Sequence, residues 1–360
     1  VSSGEARRRI EGSFRRGIAV SALLGALLSR TLLQIHGAHF EALVRTAQSI
    51  WDRTPYSSAL QARLFGPALV ELVAAASGRG FAASYEVVFV ALVFGAVGTM
   101  TFALGQYAGG ARSGPAYAAV GALGIVLLQD DRWLHLWDVI DVIFAALFAR
   151  AIFTNAPLAH FAVLFLVFLP NRESALFVPA WLIVSALAGD RLAPGRARDE
   201  RRLAMGVVGI VAGLGALAAT RAVLYRGAPA PRRPVTPWGN HFTALHNAFD
   251  LMRTLRSLDL RALTTYASLL AAAVFVVRSR SSLPRCARRV PVLMLGMALS
   301  IVLFGVVLET RSWLLFVPFL LFIAAARAVG PSREDGPRPL ECSPRRQGHE
   351  VVANADQRVS

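Results

Sequence analysis

The chain has 360 residues, 55% of them hydrophobic and only 17% charged, with a mean hydropathy of +0.51. Its apolar residues gather in long runs between short arginine-rich breaks, which excludes an ordinary soluble domain and predicts an all-α integral membrane protein. The net charge of +16 would otherwise suggest a nucleic-acid partner. No nucleic acid is expected, because the arginines sit mostly in the breaks between apolar runs.

Residues 1–16, "VSSGEARRRIEGSFRR", read as a basic cytoplasmic N-terminus. No small-residue cleavage motif follows the first apolar run, so that run is expected to be an uncleaved span. A helix crossing a bilayer needs about 20 apolar residues. The candidates are 17–35, 84–108, 115–128, 134–153, 157–170, 174–189, 203–224, 263–277, 290–308 and 313–329, about ten transmembrane helices in a domain covering 17–329. Several are short, and a bundle accommodates short helices. Ten spans put the N-terminus, "GGARSG", "DRLAPGRARDERR", "RSRSSLPRCARR" and the tail on one side, which the positive-inside rule makes cytoplasmic. The tail, 330–360, is aperiodic and is expected to be disordered. The expectation is thus a multi-pass protein of the bacterial inner membrane with both termini inside.

The first outer segment, His36–Ser77, carries Glu41 and Asp52. After it, Gln61 and Arg63 open an apolar stretch to Ala76 that fits a re-entrant or interface-lying helix.

Next come Asp130, Asp131, His135, Asp138 and Asp141. The last three are spaced i, i+3, i+6 and share roughly one helical face. Carboxylates at membrane depth are costly and face a bundle interior or a wet cavity. Asp130, Asp131, His135 and Asp138 are therefore candidate ligands for a divalent metal ion, since hard cations favour carboxylate oxygen. The alternatives are an acid/base pair, a structural ion pair with a buried arginine, or solvation at the interface.

"FLPNRESALFVPAW", Phe168–Trp181, sets Asn171, Arg172, Glu173 and Ser174 between two apolar runs. The polar residues are expected at an outer hairpin tip. A guanidinium there suits phosphate, through its planar fork of donors, and Glu173 is a partner for a sugar hydroxyl or for the next helix N-terminus. "LETRSW", Leu308–Trp313, repeats the pattern with Glu309 and Arg311, and the two tips are expected on one face. Between them, "WGNHFTALHNAFDLMRTL" reads as an amphipathic helix. Phe242, Leu245, Phe249 and Met252 form its apolar stripe, and His246 and Asn247 are minor candidates for substrate contact.

The two cysteines, Cys286 and Cys342, fall in segments expected to be cytoplasmic, and their spacing is no metal signature. P-loop, G-x-S-x-G, H-E-x-x-H, CxxC and dinucleotide glycine patterns are missing. The glycines of "VVGIVAGLGALAA", Val207–Ala219, fit close helix packing.

The order "PYSSALQARLFGPALVELV", "LWDVIDVIFAALFARAIF", "NRESALFVPAWLI", "LETRSWLLFVPFLLF" resembles polytopic bacterial membrane proteins with a GT-C glycosyltransferase-like arrangement, over roughly Ile18–Val329. The resemblance implies transfer of a sugar from a polyprenyl-phosphate donor at the extracytoplasmic face. It also implies a carboxylate of the first outer loop, Asp52 or Glu41, as base or metal ligand. Asp52 is preferred because it stands between Trp51 and Arg53. Arg63, Arg172, Glu173, Glu309, Arg311, His246 and Asn247 are the candidate substrate-binding residues. Lipid and a lipid-linked sugar are the expected partners. A transporter or flippase of lipid-linked or anionic solutes, or a polysaccharide polymerase or ligase, is the competing expectation.

Overall fold

The computed structural model describes residues 3–55, 60–61, 63–108, 113–128, 133–187, 196–226 and 243–329, with backbone alone for 3–16 and 196–198. The expected tail at 330–360 lies outside them, as do Asp130 and Asp131. Every regular element among the described residues is helical. In chain order they are α1 Ser3–His36, α2 Phe40–Trp51, α3 Phe65–Ser77, α4 Phe81–Tyr107, α5 Ser113–Leu127, α6 Leu136–Phe153, α7 Leu158–Phe168, α8 Phe177–Leu187, α9 Arg196–Leu224, α10 Ala244–Ser257, α11 Leu260–Ser279, α12 Val290–Phe304 and α13 Phe316–Val329.

Local chemistry sets the ends of these helices. Asp259 caps α11, accepting hydrogen bonds from the Arg261 and Ala262 amides. Pro157 precedes α7 in extended backbone. Gly78 ends α3 at φ +68°, a left-handed conformation open to glycine at little cost.

Five segments are long and apolar enough to cross a membrane: Gly17–Trp51, Phe81–Tyr107, Asp199–Leu224, Leu260–Ser282 and Arg285–Phe304. The protein is therefore a helical protein of membrane-spanning character. Five further apolar helices, Phe65–Ser77, Ser113–Leu127, Leu158–Phe168, Glu173–Leu187 and Phe316–Val329, are shorter. The lengths thus support five of the ten expected spans directly. α6 stands apart. Its 18 residues extend about 27 Å at 1.5 Å each, but it carries Asp138, Asp141 and Arg150.

α6 is the central helix. Fifteen of its 18 residues are buried. α4 and α13 pack along it, and α7 and α3 close its remaining sides. Phe144 and Phe148 anchor the core against Phe168, Phe161 and Phe319. Helix ends fall into two groups. At one end the start of α6 meets the 169–173 hairpin and the 305–313 loop. The ends of α5 and α9 join there, through Thr310–Leu128 and Arg221–Glu173 hydrogen bonds. At the other end Arg150 meets Gln106 of α4, Asn155 meets Arg202 of α9, and Cys286 donates its thiol to the Phe153 carbonyl. Segments expected outside cluster at the first end, and those expected inside at the second.

Glycine permits close crossings of α5 with α4 and of α9 with the chain before and within α8. A Cβ on Gly114 of α5 would lie 2.5 Å from the Thr101 carbonyl oxygen and 2.9 Å from the Gly105 Cα of α4. On α9, a Cβ at Gly209 would meet Pro179 at 2.8 Å, and one at Gly213 would meet Leu176 at 2.6 Å. Small residues let these backbones approach, as in membrane helix pairs generally.

Candidate functional site

The site forms at the first turn of α6. The Asp138 carboxylate accepts the His135 backbone N–H at 3.0 Å, satisfying a donor at the helix start and lying where the helix dipole favours negative charge. One turn on, Asp141 accepts from Asn171 at 3.0 Å and from the Ser174 hydroxyl at 2.8 Å. Each aspartate is only 2% exposed. Burying two carboxylates is costly unless both are paired and hydrogen-bonded.

Arg172 supplies the pairing. Its Nη1 donates to Asp138 at 3.1 Å and to Asp141 at 3.2 Å. Burial opposes the Arg172 charge, but Asp141 and Asp138 outweigh it and hold its pKa above the ordinary value. Arg311, from the second hairpin, reaches the other Asp138 oxygen at 3.9 Å. It also donates to the Trp133 carbonyl and to Glu309. The two Glu/Arg tips therefore converge on one carboxylate. Glu173 turns away and takes Arg221 of α9 at 3.1 Å, tying two helices together.

Arg63 completes the constellation. The hairpin positions it: the Pro170 carbonyl accepts the Leu64 and Phe65 amides at 2.9 and 3.1 Å. Its guanidinium lies 5.2 Å over the Trp137 ring, a cation–π contact. Among the described residues it has no carboxylate partner, and its buried Nε has no hydrogen bond. Burial first, and then nearby Arg172, lower its pKa from the ordinary arginine value to about 10. His135 stacks on Trp137 at 4.2 Å, and His39 lies 5.2 Å from Trp133. The result is an aromatic shelf beside three arginines. Among the described residues, the buried polar atoms here without a partner include Trp137 Nε1, Asn171 Oδ1 and Arg63 Nε. Such atoms call for water or a ligand.

The other candidates fall differently. Asp52 is exposed at the C-terminal end of α2, two residues after Ile50, which packs on Trp137 with Leu60. Its carboxylate makes no ion pair with Arg63 among the described residues. Glu41, at the far end of α2, is exposed and 3.9 Å from Arg45. His246 is exposed and pairs with Asp250 at 3.1 Å. Asn247 is buried and structural. It donates to the Val302 and Gly305 carbonyls, accepts from the Val307 amide, and so splices α10 to the loop after α12.

Two of the four expected metal ligands, Asp130 and Asp131, lie outside the described residues, so only His135 and Asp138 of that set are described. No three of the described His, Cys, Asp or Glu side chains group to hold an ion. His135 is stacked on an aromatic ring, and the Asp138 oxygens are engaged by two arginines and a backbone amide. The ion-pair alternative is the one these contacts describe. Residue patterning alone does not single out Trp137 and Trp133. Their position beside His135 in "DRWLHLWD" was the available signal.

The chain matches no protein-family model, no curated protein and no solved structure.

Proposed function

We propose that this protein binds the phosphate of a lipid-linked sugar at the arginine-bearing end of α6 and acts there as a GT-C-like glycosyltransferase on the outer face of a bacterial inner membrane. One observation carries the reading. Among the described residues Arg63 is a half-buried guanidinium without a carboxylate partner, beside an aromatic shelf, while Arg172 and Arg311 are drawn onto Asp138. A guanidinium in that state has donors left for a phosphate. In the proposed reaction the acceptor hydroxyl attacks the anomeric carbon and passes its proton to Asp52, the general base. The sugar–phosphate bond breaks, its electron pair leaves with the phosphate, and Arg63 stabilises that charge. Arg172 and Asp138 hold the corner in shape. A metal ion, if one takes part, would need ligands beyond the described residues.

One-sided polarity favours this over a transporter or flippase. Between Asp141 and Arg150, α6 presents Val142, Phe144, Ala145, Ala146, Phe148 and Ala149, all apolar and buried. α6 therefore carries no polar path from one end to the other. A polymerase or ligase would use the same end and the same phosphate.

The test is transfer of radiolabelled sugar from polyprenyl-phosphate donors in membranes holding the wild-type or the Asp52→Asn protein. The expected outcome is a labelled product lost by about 10²–10⁴-fold in the variant. Undiminished transfer with Asp52→Asn would remove the proposed base.

A further inference from the structure

The end of the molecule opposite Arg63 carries a second concentration of charge. From the last turn of α11 to the start of α12 come Arg278, Arg280, Arg285, Arg288 and Arg289, five arginines in twelve residues with no acidic residue among them. All five are exposed. Their guanidinium groups make no ion pair among the described residues.

The segment is a shaped platform rather than a slack loop. Arg280–Ser282 and Arg285–Ala287 are 3-10 turns. Ser279, Leu283, Ala287 and Val290 are buried beneath them. The Leu283 amide donates to Arg280, the Ala287 amide to Pro284, and the Cys286 thiol to Phe153 at the end of α6. With the small and apolar residues pointing in, the arginines are left pointing out. Directly below the platform the helix flanks are apolar and uncovered: Val274 and Val277 on α11, Val292 and Leu295 on α12. Both helices belong to segments long and apolar enough to cross a bilayer.

A molecule with a negative head and hydrocarbon tails fits both halves of this surface at once. We infer that the Arg278–Arg289 turn binds the headgroup phosphate of an anionic phospholipid, with the acyl chains lying along Val277, Val292 and Leu295. A basic residue at a membrane surface contributes about 1 kcal/mol to anionic-lipid attraction, roughly fivefold in affinity. An acidic soluble protein would have no use for the adjoining valines and leucines.

The experiment uses the full chain purified in detergent, with bound lipid counted by native mass spectrometry after addition of phosphatidylglycerol or phosphatidylcholine. Wild-type protein should retain phosphatidylglycerol in preference to phosphatidylcholine. The triple Arg285→Gln, Arg288→Gln, Arg289→Gln variant should bind phosphatidylglycerol on the order of a hundredfold more weakly. The corresponding triple lysine variant should stay within a few-fold of wild type. Should the glutamine triple fail to fold, the Arg278→Gln, Arg280→Gln pair reads the same loss at about 25-fold. Equal retention of the two lipids, or a well-folded glutamine variant with unchanged phosphatidylglycerol affinity, overturns the inference. The platform lies away from Arg63, so this result does not depend on the function proposed for that end.

Discussion

Arg172 and Arg63 sit in the same corner and are held by opposite logic. Arg172 neutralises two buried aspartates, so Arg172→Ala should destabilise the protein by about 3–5 kcal/mol, read as a lowered melting temperature in detergent. Adding Asp138→Asn and Asp141→Asn should recover part of that loss, because the stranded charges go with the arginine. An unchanged melting temperature for Arg172→Ala would show that the pairing carries no weight. Among the described residues Arg63 instead has only its ring contact to lose. Arg63→Gln should cost about 1 kcal/mol of stability or less, yet weaken binding of a phosphate-bearing lipid by about 10–100-fold. With its pKa lowered to about 10, the Arg63 guanidinium stays charged through neutrality and loses its proton as pH rises past that point. Binding of a polyprenyl-phosphate-linked sugar, a phosphodiester whose charge is constant over this range, should thus be level from pH 6 to 8 and fall near pH 10. At this scale the sequence shows the candidates but not their partners. The Asp138–Asp141 spacing is visible because it is local. Arg172 lies 31 residues beyond Asp141 and Arg311 a further 139, and only tertiary packing selects which carboxylate each arginine takes.

Among elements, the long apolar runs are the legible part, because a hydrocarbon environment demands helices with satisfied backbones. α4, α5 and α12 begin within a few residues of where apolar periodicity placed them. The segment expected at 174–189 divides instead into a 3-10 turn, Glu173–Leu176, and α8. There Asn171 and Ser174 are drawn onto Asp141, which holds the chain away from regular helix. Sequence also leaves open how closely helices approach. Gly114→Ala puts a methyl against backbone atoms that cannot swing aside, so a loss of about 1–3 kcal/mol is expected. Gly296 of α12 faces open space, and Gly296→Ala should be neutral or stabilising by up to about 1 kcal/mol. Equal melting temperatures for the two variants would contradict the close α4–α5 crossing.

Taken whole, the molecule is polar at one end of α6, basic at the other and apolar between. The positive-inside reading assigns Arg278–Arg289 to the cytoplasm and the Arg63 corner to the outside. A Thr54→Cys variant, in a background lacking Cys286 and Cys342, should react with a membrane-impermeant maleimide in intact cells. Cys286 in the wild type should react only after the cells are opened. The reverse pattern would place the aromatic shelf inside and exclude an outer-face reaction.

The most direct measurement compares binding of a polyprenyl phosphate with that of the corresponding polyprenol, to purified wild-type and Arg63→Gln protein. Preference for the phosphate in the wild type, lost by about 10–100-fold in the variant, is the result expected if Arg63 receives a lipid-linked phosphate. Equal affinity for phosphate and alcohol, or a preference that survives the substitution, would contradict it.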